Sequence, residues 1–337
     1  MPLDTKTCRL AIAGASSLRG RELKQMLEKG RFASSDIRLV DEELAAGTLT
    51  ELAGEPAVIQ AADDDSFEGA QLVFFTGSAA FALRHADSAL RAGARVIDLS
   101  GGLADFPGAK LWIPSLDTVL PSPSSAEASA NRVFLSPSTP AIVACTVSAA
   151  LAPLRIERLA FVFFQPVSEA GQAGVEELES QSTRLLSFQP IGEEVFDTQV
   201  AFNLLDEYGS ASSEKLSSVR QRISREAHTC LNGRAVVPAI QLLHAPVFYA
   251  HAFTAYVELP GAPDASAIGQ ALQKAGVHVP PPDGPAVSNL SVAGEDRISM
   301  SLPARDPRLA GGFWLWGAAD NFRLAAANAV RIGEKLA

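Results

Sequence analysis

Cysteine is scarce in this chain: Cys8, Cys145 and Cys230 are the only three among 337 residues. An odd, widely spaced set makes no disulfide framework, and free thiols fit a reducing compartment. No Cys/His group has the spacing of a metal site. A basic excess is missing too. Lys and Arg total 28 against 38 Asp and Glu, a net charge of -10, which argues against nucleic acid as the main partner. No apolar run approaches the roughly 18 residues of a membrane span. Leu10-Ala11-Ile12-Ala13 is too short for a signal-peptide core, and Asp4 argues against one. These absences point to a cytoplasmic protein with no membrane partner. Hydrophobic residues, at 47%, suffice for two domains with their own cores.

What is present is alternation. Short apolar runs at residues 8–14, 36–40, 71–75 and 95–99 read as strands, with helices expected at 20–29 and 79–92. Strands alternating with helices predict a parallel, doubly wound α/β sheet of the Rossmann type. Residues 121–130 are rich in Ser and Pro and read as a linker. A second, α+β domain is expected from residue 133, with strands at 159–164, 247–258 and 298–302 and a helix at 173–186. A C-terminal helix at 321–336 returns to the first domain. The expected division is 1–132 plus 313–337, and 133–312.

The loop Gly14-Ala15-Ser16-Ser17-Leu18-Arg19-Gly20 joins the first strand to the first helix. Glycines there permit a tight turn and let a phosphate approach the helix N-terminus. Gly14, Ser16, Ser17, Leu18 and Gly20 are therefore candidate dinucleotide contacts, with Thr76 and Gly77 from the loop after the third strand. Asp41 and Glu42 end the second strand. A carboxylate there accepts from a ribose 2′-hydroxyl and repels a 2′-phosphate, which favours NAD over NADP. The alternative is a solvated acidic turn with no cofactor.

Three further segments carry a resemblance. Gln165-Pro166-Val167-Ser168-Glu169-Ala170-Gly171-Gln172-Ala173-Gly174-Val175-Glu176-Glu177-Leu178 looks like Gln-x-Val-Ser-Gly-Ala-Gly-x-x-Gly-x-x-Glu-Leu. Pro246-Val247-Phe248-Tyr249-Ala250-His251 looks like Arg-Val-Pro-Val-x-x-Gly-His. Trp314 to Arg323 looks like Asn-Leu-Trp-x-x-x-Asp-Asn-x-Arg. Nearly end to end, the chain resembles the aspartate-semialdehyde dehydrogenase family. The resemblance implies a homodimer, a substrate-orienting Gln165, an acid/base His251 and an Asn321 near the nicotinamide. It also implies amino-acid biosynthesis as the family's setting.

The departures fall on the chemistry. The family's nucleophilic cysteine falls on Thr139, in Ser136-Pro137-Ser138-Thr139-Pro140-Ala141. A threonine hydroxyl is far less acidic than a thiol. The substrate-carboxylate arginine falls on His244 and the phosphate-site arginine on Ala104. Of a Glu-x-x-Lys pair, Glu214 is kept and the lysine falls on Ser217. Thr139 before Pro140 reads as a helix N-cap, and Cys145 as a buried core thiol. His251 reads as a structural or a proton-transfer residue. Three functions follow: a divergent paralogue without the parent reaction, an NAD-dependent oxidoreductase on a different aldehyde or oxo substrate, or a non-catalytic binding protein or heterodimer partner of the true enzyme, with a small carbonyl or carboxylate compound as the candidate ligand.

Overall fold

The computed structural model describes residues 8–120, 131–281 and 283–337. The expected linker 121–130, Asp4 and Pro282 lie outside the described residues. The chain divides into two compact units, each described by itself. One takes in Met1–Asp117, Ser122–Pro137 and Ala325–Ala337; the other takes in Thr118–Pro121 and Ser138–Leu324.

The first unit is built on β1 (Arg9–Ala13), β2 (Asp36–Asp41), a hairpin of β3 (Leu49–Leu52) and β4 (Glu55–Val58), β5 (Gln60–Ala61), β6 (Leu72–Phe75), β7 (Arg95–Asp98), β8 (Ala109–Leu111) and β9 (Val133–Leu135). Seven of these form one sheet in the order β5-β2-β1-β6-β7-β9-β8. Every pair in it is parallel. Its central strands β1, β6, β7 and β9 are buried on both faces, since side chains alternate with period two and both faces are covered. Leu10, Ile12, Phe74 and Ile97 pack with Leu23 and Leu27 of α1 (Leu18–Leu27). Ala11, Ala13, Val73 and Phe75 pack on the other face with Phe81, Ala82 and Ala86 of α2 (Ala79–Arg91).

The second unit holds α3 (Thr139–Leu151), α4 (Gly171–Leu186), α5 (Leu216–Leu231) and α6 (Ala265–Lys274). Its six-stranded sheet comprises β10 (Arg158–Gln165), β11 (Ala239–His244), β12 (His251–Glu258), β13 (Ser299–Met300), β14 (Ala304–Arg305) and β15 (Gly312–Ala319). β12 pairs antiparallel with both β10 and β15, while β11 runs parallel to β10. α3 is buried all round, as its Ala/Val/Ile sequence requires. On β10 and β12 burial alternates, so the sheet keeps one buried face. α7 (Arg323–Leu336) closes the chain, returning it to the first unit.

Two boundaries differ from the sequence reading. Val133–Leu135 pairs with β7 and so belongs to the first sheet rather than opening the second domain. Residues 312–319 pair with β12 and belong to the second sheet. Among the described residues, no helix is long and apolar enough to cross a membrane.

Candidate functional site

The loop after β1 is held by backbone contact. Gly14 has φ +96°, and a Cβ there would meet Gly77 N at 2.2 Å. A Cβ on Gly20 would meet Gly14 O at 2.4 Å. Ser17 has an ordinary φ of -63° and needs no glycine. Its Oγ accepts from Gly20 N at 2.9 Å, which caps α1. The same hydroxyl lies 2.7 Å from Gly14 O and 3.0 Å from Thr76 O, either of which can take its proton. Thr76 Oγ1 donates to Gly14 O at 2.9 Å. Gly14, Ser17, Gly20, Thr76 and Gly77 are thus brought together, with Leu18 opening the helix.

Asp41 is not a solvated turn residue. It is 5% exposed, and its two oxygens accept from Ser16 N and Glu42 N, each at 2.7 Å. It braces the loop after β1. Glu42 is half-exposed and pairs with Arg84 of α2 at 2.5 Å. Nothing in the sequence spacing pointed to Arg84.

The second unit assembles a separate cluster. Thr139 is not the N-cap. Ser138 holds that position, Thr139 is the first helical residue, and Pro140 fits within the first turn. Proline is tolerated there because those N–H groups lack intrahelical partners in any case. Ser138 N and Oγ both donate to Glu226, the former at 3.0 Å. Burial pushes the Glu226 carboxyl above its ordinary range, against the pull of those bonds. Thr139 is 2% exposed and its hydroxyl donates to Asn321 O at 2.7 Å.

Asn321 is the hub. Its Nδ2 donates to Glu169 Oε1 at 3.0 Å and Ser168 Oγ at 3.2 Å, and its Oδ1 accepts from Ala250 N at 3.0 Å. Ala250 has φ +68°, left-handed backbone that favours glycine, the residue of the family pattern there. The next residue is His251, whose Nδ1 lies 3.2 Å from Phe164 O. Its Nε2 lies 3.3 Å from Glu169 Oε1 but out of line for a hydrogen bond, and among the described residues it has no other partner. Gln165, 2% exposed, donates to Glu214 Oε2 at 3.2 Å.

His244 is fully buried and cannot replace an arginine. Its Nε2 faces Val200 O at 3.2 Å and its Nδ1 faces the Tyr208 hydroxyl at 3.4 Å. A carbonyl can only accept, so Nε2 carries the proton and Tyr208 donates to Nδ1. Burial holds the imidazole below its usual range. Its stabilising contribution is therefore complete above the unfolded histidine value of about 6.5 and is lost as pH falls below it. The slope from this residue approaches about 1.4 kcal/mol per pH unit. Urea unfolding between about pH 5 and 7 is expected to show a shallower acid loss in His244→Gln than in the wild type.

Where the lysine of the Glu-x-x-Lys pair was expected, Ser217 N donates to Glu207 Oε2 at 3.1 Å. Glu207 also takes Leu216 N at 2.6 Å and so caps α5. Burial opposes its charge, but these bonds hold the carboxyl below its ordinary range. Ala104 lies in the turn after β7. Cys145 is fully buried. Its contact with Cys230, together with burial, pushes the thiol far up, which fits an inert core residue.

The most telling group, Glu169, was not singled out from the sequence. The signal was available: Glu169 falls on a glycine of the family pattern. Tyr208 and Glu226 carried no such signal.

Residues 9–118 match the semialdehyde dehydrogenase NAD-binding domain and residues 149–324 the semialdehyde dehydrogenase dimerisation domain. The chain belongs to the semialdehyde dehydrogenase family. It is 30% identical to a USG-1 protein homolog of Azotobacter vinelandii, over 97% of each chain. It is 26% identical to an aspartate-semialdehyde dehydrogenase of Rickettsia bellii, over 98% of each. The probable aspartate-semialdehyde dehydrogenase of Pseudomonas aeruginosa superposes with a TM-score of 0.82 at 28% identity, covering 98% of both chains. Aspartate semialdehyde dehydrogenase II of Vibrio cholerae superposes at 0.84 with 24% identity, covering 97% of this chain and 98% of that one. As a semialdehyde dehydrogenase family member, this chain has an NAD(P)-binding domain and a dimerisation domain, the latter implying an oligomer.

Proposed function

We propose that this protein is a homodimeric, dinucleotide-binding family member that does not carry out the parent phosphorylating reaction on aspartate semialdehyde. The observation that carries this is the 2.7 Å bond from the Thr139 hydroxyl to Asn321 O. The residue aligned with the nucleophile is a weakly acidic hydroxyl spent on a structural bond. Steady-state assays with aspartate semialdehyde, phosphate and either NAD or NADP are expected to give no reduced nicotinamide. Phosphate-dependent reduction at a rate typical of the family would overturn the proposal.

The loop after β1 fits a dinucleotide diphosphate: its glycines bring the backbone close and α1 begins there. Bound there, a nicotinamide dinucleotide supplies a hydride acceptor or donor. Our reading favours NAD. Glu42 occupies Arg84, the cation beside the end of β2, so a 2′-phosphate would meet a neutralised pair. Glu42→Ser frees Arg84 and is expected to tighten NADPH binding at least about tenfold, about 1.4 kcal/mol, relative to NADH. Fluorescence titration checks this, and the gain should vanish in Glu42→Ser/Arg84→Ala.

A second reading has support of its own. Gln165 with Glu214, and His251 with Glu169, keep orienting and proton-carrying groups together. That set suits an oxidoreductase acting on a different, less anionic carbonyl compound, for which no covalent relay is needed.

A further inference from the structure

A cavity of about 160 Å³ opens beside β13, the terminal strand of the second unit's sheet. His278 forms a parallel bridge with Ser299 of that strand, its backbone N–H bonding to Ile298 O at 2.8 Å. Residues opposed in this way send their side chains to one face, and both line the cavity. Ser299 is 6% exposed, yet among the described residues no group bonds its hydroxyl. A ligand in the cavity therefore gains by meeting that hydroxyl. His278 likewise has no partner among the described residues to fix its tautomer. Charged or neutral, an imidazole carries at least one N–H, so the ring can donate in either state.

The rest of the lining sets charge and size. Arg297 Nε lies 3.2 Å from Glu295 Oε2, and both half-exposed side chains border the cavity. Arg297 keeps further N–H groups, and Glu295 a second carboxylate oxygen, for a ligand. The pair is neutral in sum, so a ligand of net charge would leave one like charge facing it. Pro280, Pro285 and Val287 supply the apolar lining. Val287 is held in place: Trp316 Nε1 donates to its carbonyl at 2.8 Å, and it packs with Ala250, Val292 and Ala318. Ser288 and Ser291 lock the following turn with three mutual hydrogen bonds. A wall fixed in this way costs little to order on binding. The volume is well under the roughly 300–1,000 Å³ of a cleft for a drug-sized ligand, which suits a small molecule.

We propose that this cavity binds a small aliphatic α-amino acid as its zwitterion. The carboxylate accepts from Arg297, His278 and Ser299, and the ammonium donates to Glu295. The side chain rests on Pro280, Pro285 and Val287. An α-amino acid carries its opposite charges close together, as Arg297 and Glu295 do, and each charge meets a charge-assisted partner. No lining residue belongs to the cluster around Asn321, so the site stands whether or not the parent reaction is lost.

Three probes share one aliphatic skeleton: L-valine, isovalerate, which lacks the ammonium, and isobutylamine, which lacks the carboxylate. Calorimetric titration of the full chain is expected to show L-valine binding at least about tenfold tighter than either fragment. Glu295→Gln should erase the preference over isovalerate, and Arg297→Gln the preference over isobutylamine. Both positions are half-exposed, so both variants should fold, circular dichroism being the check. Ser299→Ala, which removes only the hydroxyl, should weaken L-valine binding about tenfold. No binding of L-valine, a fragment binding as tightly, preferences that survive both charge variants, or an unchanged affinity in Ser299→Ala would each overturn the inference and leave an ordinary surface crevice. Turnover of aspartate semialdehyde is a separate readout: it would sink the proposed loss of the parent reaction without touching the order of the three affinities.

Discussion

Thr139→Cys is expected to remain without measurable phosphorylating semialdehyde dehydrogenase activity. A sulfur at that position would point where the hydroxyl points, at the Asn321 carbonyl 2.7 Å away. A carbonyl acceptor favours the protonated thiol rather than the thiolate. Pro140 contributes no N–H at the start of α3, so one group that could lower a thiol's pKa or hold an oxyanion is missing. The histidine that would move the proton has its Nε2 turned to Glu169. The cationic anchors fail independently of the nucleophile. His244 is tied to Val200 and Tyr208, and Ser217 sits at the capped start of α5. Two lost charge-assisted contacts at about 1.5–3 kcal/mol each make about 3–6 kcal/mol, or a factor of roughly 10² to 10⁴ in rate. The check is phosphate-dependent formation of reduced nicotinamide, assayed beside an active family member. A variant within about a hundredfold of that enzyme would show that the anchors matter little.

Gly14→Ala is expected to be the most damaging single-methyl change in the first unit. The φ of +96° disfavours any side chain, and the new Cβ would stand 2.2 Å from Gly77 N and 2.4 Å from Gly77 Cα. Those are backbone atoms of a neighbouring loop and cannot rotate away. Strain and clash together should cost about 3 kcal/mol or more and abolish dinucleotide binding. Gly30→Ala is the control. Its φ of +88° is nearly the same, but nothing lies within 4 Å of its Cβ. It should cost only about 1 kcal/mol and leave binding intact. Urea denaturation with NADH titration compares the two, and equal losses would remove backbone contact as the cause.

The parallel sheet was legible because its strands are short apolar runs set between helices, as in Leu10–Ala13 and Leu72–Phe75. The second unit was harder. α5 carries three arginines and three serines among its 16 residues, so its apolar stripe of Val219, Ile223 and Ala227 is thin in the sequence. β15 has glycines and exposed tryptophans and reads as a motif before it reads as a strand. Thr139 was expected to cap α3 because proline favours the first helical position. The helix instead begins one residue earlier, since Ser138 can leave its own helix uncapped and bond to Glu226. Long-range partners of this kind, such as Tyr208 on His244 and Arg84 on Glu42, have no local signature. Glu169 shows a different difficulty. Searching a pattern for missing groups finds Thr139 and His244, whereas Glu169 is a group added where the pattern has only hydrogen.

Thr139, aligned with the nucleophile, is expected to form no covalent intermediate. Intact-mass spectrometry tests it after incubation with aspartate semialdehyde and NAD in the absence of phosphate. Without phosphate an acyl-enzyme has no rapid exit, and an ester on a threonine oxygen would persist long enough to weigh. The expected result is the unmodified mass of the chain. A mass increase matching one aspartyl acyl group, mapped to Thr139 by peptide fragmentation, would contradict the account.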